Sequence, residues 1–483
     1  VGRLGVTPLA GLGAASAVLT SVAGLFVFLA YGTTAAVARR MGAGQERDAA
    51  EDGWSGIWLA LLIGLAAAAV TGGAARPLVE AVGGSPEVVE QASTYLRISA
   101  LGLPAMLLVL AATGILRGLQ DTRTPLVVSA IGFGANAMLS IALVLGVGMG
   151  IGGAAWGTVI AQWGMAFALL AVILRQGRGA GASLRPHVGR VMAAALDGVP
   201  LLVRTLALRA IILLTVATAA AFGDVPLAAY QVTTTIWSLL VFALDALAIA
   251  GQALTGAQLG SGDAAGARAA TALMVRWGIW GGVVLGVGLL ALHRVLPALF
   301  TGDPAVRSAI AAGLVVVALC QPLSGYVFVV DGVLIGAGDG RWLAGSMTLV
   351  LLAGAVASAV WTAVVGFHDA SDYPRVYYGT DTRAQALFIG AALGVWLAPG
   401  RSGAFPSFPR PVVAVAGIVG VVSSVFSFVV VGPYSGWMFN LGGMFFFALG
   451  SALLVIACVD ERPSWVRTVF GWRPLAHVGR LSY

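Results

Sequence analysis

The sequence contains no lysine, and only 10% of its 483 residues are charged while 59% are hydrophobic. So little charge leaves no material for the water-facing surface of a soluble domain this long, which excludes that class and points to a membrane protein. The net charge of +7 rests wholly on arginine. In a soluble chain such a balance suggests nucleic acid, but here the arginines follow topology. Arg39, Arg40, Arg47, Arg117, Arg123, Arg175, Arg178, Arg185, Arg190, Arg268 and Arg341 fall in alternate loops, and the intervening loops hold only Arg76, Arg294 and Arg307. The arginine-rich side is therefore cytoplasmic, and no nucleic-acid partner is expected. The only cysteines, Cys320 and Cys458, lie inside apolar runs, which excludes a disulfide framework. His187, His293, His368 and His477 lack ligand spacing, so neither a metal centre nor a cofactor is expected. Gly148 to Gly153 fits a dinucleotide-type glycine pattern, yet it joins two apolar runs instead of opening a βαβ unit and reads as a turn.

What the chain does have is long apolar runs. Stretches able to cross a hydrocarbon core lie at roughly 13–37, 54–75, 94–116, 124–148, 151–174, 199–222, 226–256, 270–297, 309–336, 342–366, 384–398, 411–432 and 437–459, predicting thirteen spans. One segment also copies another at a fixed offset of 218 residues. Pro8-Leu9-Ala10 recurs as Pro226-Leu227-Ala228, Gly42-Ala43-Gly44 as Gly260-Ser261-Gly262, and Pro86 and Pro104 as Pro304 and Pro322. Gly114, Gly118, Asp121 and Arg123 recur as Gly332, Gly336, Asp339 and Arg341. Backbone-punctuating residues that hold one offset this far mark a duplicated multi-helix unit. Six spans separate equivalent points, and an even number returns the chain to the same side, so the repeats are parallel and point to a transporter.

The expected organisation is a bundle over 1–175, a cytoplasmic connector over 176–190, a second bundle over 191–366 and a further membrane segment over 367–483. Repeat arithmetic predicts a helix before residue 1, equivalent to 199–222, so the first bundle reads as truncated. The second bundle reads as incomplete, because a polar run from His368 to Arg383 stands where the offset predicts another span.

Two carboxylates stand in apolar surroundings. An ionised Asp245 or Asp331 in a span costs about 2.5–3.5 kcal/mol, which calls for a partner or a function. Their repeat equivalents are Val27 and Thr113, so acidity belongs to the second copy alone. Either these acids bind a coupling cation or substrate, or they form internal ion pairs with Arg204 or Arg209 of the preceding span. Asn136 and Ser140, one turn apart, either face a cavity or make a helix–helix hydrogen bond. Gln162, Gln231, Gln252 and Gln321 carry the same two readings.

Several strings resemble the multidrug and toxic compound extrusion (MATE) family, DinF-like branch, over about residues 1–345. They are Thr7-Pro8-Leu9-Ala10, Gly32 to Arg40, Leu116-Arg117-Gly118-Leu119-Gln120-Asp121-Thr122-Arg123-Thr124-Pro125 and Asp331 to Asp339. The resemblance implies two six-helix lobes, alternating access by rocking, and export of amphipathic, often cationic compounds against protons or sodium. It implies that Asn136 matches a polar position of the first lobe's cation site, that Ser140 stands where some members have an acid, and that Asp331 matches an acid of the second lobe. Beyond about residue 350, Arg375 to Ala384 and Val478 to Tyr483 resemble the integral-membrane acyltransferase-3 family, without its early helix that bears the histidine implicated in acyl transfer.

The expectation is an all-α polytopic membrane protein of two parallel-repeat helical bundles plus about three C-terminal transmembrane helices, in the plasma (bacterial inner) membrane. It is expected to be a transporter and no enzyme, with no catalytic residues and no metal. Its expected partners are the lipid bilayer, a small amphipathic or cationic substrate and H+ or Na+. Its expected cation and substrate contacts are Asp331, Asp245, Asn136, Ser140 and Arg209. The alternatives are an O-acyltransferase fragment and a flippase for lipid-linked precursors.

Overall fold

The computed structural model describes residues 5–365 apart from 84, 180 and 222, and then 389, 410–426, 443–459 and 468. Among the described residues every regular element is a helix. In chain order these are α1 (Val6–Leu25), α2 (Phe28–Gly42), α3 (Glu46–Gly73), α4 (Ala75–Val82), α5 (Pro86–Ala100), α6 (Leu103–Gly118), α7 (Arg123–Ile141) and α8 (Gly150–Gly179). There follow α9 (Val188–Ala221), α10 (Asp224–Gly260), α11 (Ala264–Leu292), α12 (Pro304–Ala337), α13 (Gly340–Val365), α14 (Arg410–Val425) and α15 (Gly443–Val459). Among the described residues eight helical stretches are long and apolar enough to cross a membrane, and nine if the bent pair α5–α6 counts as one span.

These follow the first nine apolar runs closely, with three differences. The first run is broken between Leu25 and Phe28. The third bends by 49° where α5 meets α6, at Leu101-Gly102 two residues before Pro104. The fourth ends in a π turn, Ala142–Gly146. The run at 384–398 lies outside the described residues except for Ile389, as do the end (427–432) of the run at 411–432, the start (437–442) of the run at 437–459, the polar stretch 368–383 and the segment 478–483.

The helices form two compact units. The first comprises Val1–Thr205, Leu239–Val287 and Leu319–Gly340. In it α6 is buried along most of its length against α2, α3 and α8, as its apolar sequence requires. Such close packing in lipid depends on small residues, because there is no water for apolar side chains to escape. A Cβ on Gly114 would meet the carbonyl of Ala30, and one on Gly332 would meet that of Ala248. Gly118 lies against the carbonyl of Thr34, and Gly336 against that of Gln252. Gly64 lies against Pro104, and Gly282 against Pro322. Each second contact is the first shifted by 218 residues, so the duplication seen in the sequence is a duplication of packing. Backbone conformation repeats too. Gly44 and Gly262 have φ of 70° and 78°, and the left-handed residue closing α6, Gln120 with φ 62°, is matched by Gly338 with φ 80° after α12.

The two repeats also meet each other inside this unit. A Cβ on Gly42 would collide with the backbone of Ala257, and one on Gly260 with that of Arg39. Residues 42 and 260 are equivalent, as are 39 and 257, so the contact is reciprocal, as a two-fold relation demands. Gln252 Nε2 donates to the Tyr31 carbonyl at 2.5 Å, and Arg39 Nη1 to the Gly336 carbonyl at 3.2 Å. At the start of α9, Arg190 is held by Asp48, Glu51 and Asp52 of α3 at 2.8 to 3.0 Å. Between α6 and α7 the Asp121 carboxylate accepts from the Thr124 hydroxyl and from the N–H groups of Arg123 and Thr124, capping α7. These donors, the Thr124 hydroxyl foremost, hold that carboxyl below the usual carboxylate range.

The second unit comprises Leu206–Ser238, Gly288–Ala318 and Arg341–Tyr483. Here Gly313 of α12 lies against Thr233 of α10, and the hydroxyls of Thr215 and Tyr230 are hydrogen-bonded at 2.6 Å. Asp303 caps α12 by accepting from the N–H groups of Ala305 and Val306. α14 packs on α15 through Gly420 and a small core of Val413, Ile456 and Ala457.

Candidate functional site

The glycine contacts bring four helices of the first unit together and fix where their polar side chains stand. α2 contributes Tyr31, α6 Arg117, α10 Asp245 and α12 Asp331, and the first part of α9 adds Arg204. Arg204 Nη2 donates to Asp331 Oδ2 at 2.6 Å, with side-chain exposures of only 15% and 20%. The Arg204 Nε is buried and has no hydrogen-bond partner among the described residues. The Tyr31 hydroxyl donates to Asp245 Oδ1 at 3.4 Å, a long bond that joins the two repeats. Arg204 is within electrostatic reach of Asp245 as well as Asp331, and Arg117 within reach of Tyr31 and Asp245. Two carboxylates, two guanidiniums and a phenol thus form one half-buried cluster.

The position follows from sequence. Asp331 immediately precedes Gly332, whose contact with Ala248 sets α12 against α10, and Asp245 lies one turn before that alanine. Farther along, toward the C-terminal ends of α2 and α10, come the Gln252 bond and the Gly42 and Gly260 contacts. Arg39 lies about 12 Å from Tyr31 along α2 at 1.5 Å per residue.

Asn136 and Ser140 form a separate group. Ser140 Oγ and Thr158 Oγ1 both donate to Asn136 Oδ1 at 3.2 Å, tying α7 to α8. Gly157 makes this approach possible, since a Cβ there would stand 2.8 Å from the Ser140 nitrogen. Arg209 is exposed and belongs to the second unit. Gln252 and Gln321 are fully buried, and Gln231 is exposed. Tyr31, Arg117 and Thr158 were not expected here from sequence. Arg117 stood out only as a topological charge, and the two hydroxyls carry no signal in a single sequence.

The MatE family model matches residues 1–142 and 200–360. The chain belongs to the MatE family. Protein DETOXIFICATION 43 of Arabidopsis thaliana is 33% identical over 293 residues, which are 60% of this chain and 55% of that protein. DNA damage-inducible protein F of Escherichia coli is 29% identical over 343 residues, 67% of this chain and 72% of its own length, in keeping with the DinF-like strings. The crystal structure of a MATE protein in a bent conformation has a TM-score of 0.67 at 22% identity and covers 82% of this chain and 86% of that one. The fold is therefore that of MATE proteins, an all-helical, multi-pass membrane architecture. Among its DETOXIFICATION relatives the chain spans about half to two thirds of their length, from 49% to 67%. Peptidoglycan O-acetyltransferase OatA of Listeria monocytogenes is 32% identical over 127 residues, 26% of this chain and 20% of that protein. That length is close to what remains beyond the MatE match, in line with the acyltransferase-3 strings.

Proposed function

We propose that the chain is a cation-coupled antiporter that exports small amphipathic compounds by alternating access, with H+ or Na+ as the exchanged ion and the plasma membrane as its location. The observation that carries this is the Arg204–Asp331 pair within the repeat-bridging cluster. Asp331 is a carboxylate whose occupant is exchangeable in principle. Arg204 holds it now, and an incoming proton or sodium ion competes for the same oxygen. Removing the carboxylate's charge releases Arg204, whose unpaired guanidinium must then find another partner, so ion binding is converted into a change of contacts among α9, α10 and α12. Asp245, tied to α2 through Tyr31, passes such a change to the other repeat. Asn136 supplies a polar contact in the first repeat, with Ser140 and Thr158 fixing its amide.

The test is transport in liposomes containing the chain alone. An imposed inward gradient of protons or sodium is expected to drive export of a cationic dye, and dye movement in turn to move the ion. Dye flux that ignores both gradients would reject coupling.

The OatA match favours a second reading, acyl transfer to a glycan by the segment beyond residue 360. Turnover of an acyl donor by the purified chain would establish it and reverse the ranking. Our reading expects none.

A further inference from the structure

Resting on the proposal that ion binding acts by releasing Arg204 from Asp331, we infer that Arg190 is a positioning residue, whose clamp on α3 sets the rotation of α9 and so presents Arg204 to Asp331. Arg190 Nη1 donates to Asp52 Oδ1 at 2.8 Å, and its Nη2 to Asp48 Oδ1 at 2.8 Å with Glu51 Oε2 at 3.0 Å. Positions 48, 51 and 52 share one face of α3. Two of these carboxylates are themselves held by their other oxygens, Asp52 by Arg40 Nε of α2 and Glu51 by Arg47 Nε, both at 3.1 Å. A planar fork that meets carboxylates already oriented accepts one direction of approach, so the clamp fixes rotation as well as distance. The connector before α9 lies on the same helix, where Trp58 Nε1 donates to the Leu184 carbonyl at 3.1 Å.

All of this belongs to the unit that holds the Arg204–Asp331 pair. α9 is continuous from Arg190 through Pro200 to Arg204. The two arginines are about 21 Å apart along it and about 40° short of four full turns, so they share one stripe. A turn of α9 that frees Arg190 therefore swings Arg204 away from α12. Gly198, between them, lies against the Phe28 ring of α2, but a glycine on an apolar ring sets separation and tolerates rotation. The acid face of α3 is also particular to one copy. The repeat equivalents of Asp48, Glu51 and Asp52 are Gly266, Ala269 and Ala270, and those of Arg40 and Arg47 are Gln258 and Ala265. The helix that joins the copies is thus held at its start by acids found in the first alone, and farther along by an acid found in the second alone.

Heat resistance of the monodisperse protein in detergent gives the interaction between Arg204 and Asp331 as the non-additivity of Arg204→Met and Asp331→Leu. Measured again in the Arg190→Gln background, that interaction is expected to fall by about half or more. Side chains more than about 10 Å apart ordinarily contribute additively, so a clamp that only stabilised the connector would leave it unchanged. Exchanging the charges with Arg190→Glu and Asp48→Arg is expected to restore most of the interaction, and Arg190→Lys less of it. Asp48→Asn removes one partner of the clamp; it is expected to weaken the interaction less than Arg190→Gln, and it serves as the readout if Arg190→Gln yields no monodisperse protein. An undiminished interaction in either background, or charge exchange no better than Arg190→Gln, would overturn the inference. A diminished interaction in a chain whose dye flux ignores both ion gradients would reject antiport and leave the role of Arg190 standing. An undiminished one alongside coupled flux would do the reverse.

Discussion

The helix pairs α2–α6 and α10–α12 are seated by the same glycines at the same offsets, yet Val27 and Thr113 of the first pair stand where the second has Asp245 and Asp331. The contacts that two copies share are backbone to backbone and tolerate no side chain, so they record architecture. The positions where the copies differ are free of that constraint and record chemistry. The bend in the third span teaches the same lesson from the other side. Gly102, where α5 meets α6, corresponds to Cys320, and α12 runs on unbroken through Pro322. A proline alone does not break the span; the glycine before it does.

The largest expected effect comes from dividing the pair that exists only in the second copy. Arg204→Met leaves Asp331 charged and unpaired, at a cost of about 3 kcal/mol, and Arg204→Met with Asp331→Leu recovers most of it. Heat resistance of the monodisperse protein in detergent measures both, and a double variant no better than the single one would show that the two side chains are not coupled. Next come the shared contacts. Gly118→Val and Gly336→Val each force a side chain into a facing carbonyl, costing about 1–3 kcal/mol, and the losses should match within the same assay. Unequal losses would break the equivalence of the two copies. Smaller still is the cap after each helix. Gln120→Gly relieves a left-handed non-glycine residue and gains about 1 kcal/mol, whereas Gly338→Gln loses at least as much because the Arg39 guanidinium occupies that space. A neutral outcome at Gln120 would mean that its side chain compensates the backbone.

The spans and the duplication were legible because both depend on residue types with strong single-residue signals: apolar runs of bilayer length, and glycines and prolines that backbone contact cannot do without. The acids were legible as anomalies in those runs. Their partner was not, since Arg204 and Arg209 lie in one span and sequence left both open. Five residues turn a helix by about 140° beyond a full circle, so only one of the two faces α12, and which one depends on how α9 is rotated. Tyr31 and Thr158 were silent for a related reason. A hydroxyl in a membrane helix ordinarily bonds its own backbone, as Thr34 and Thr205 do here and as Thr158 does with Ala154, and only the neighbouring helix decides whether it also meets a partner such as Asn136.

Substrate-driven proton and sodium flux through liposomes holding the wild-type chain or Asp331→Asn puts the asymmetry between the copies to the test. The account predicts that the asparagine variant, correctly folded by its dye binding, loses ion flux while still binding dye. Flux equal to wild type would contradict it, because Asp331, the carboxylate proposed to exchange Arg204 for the ion, would then be idle.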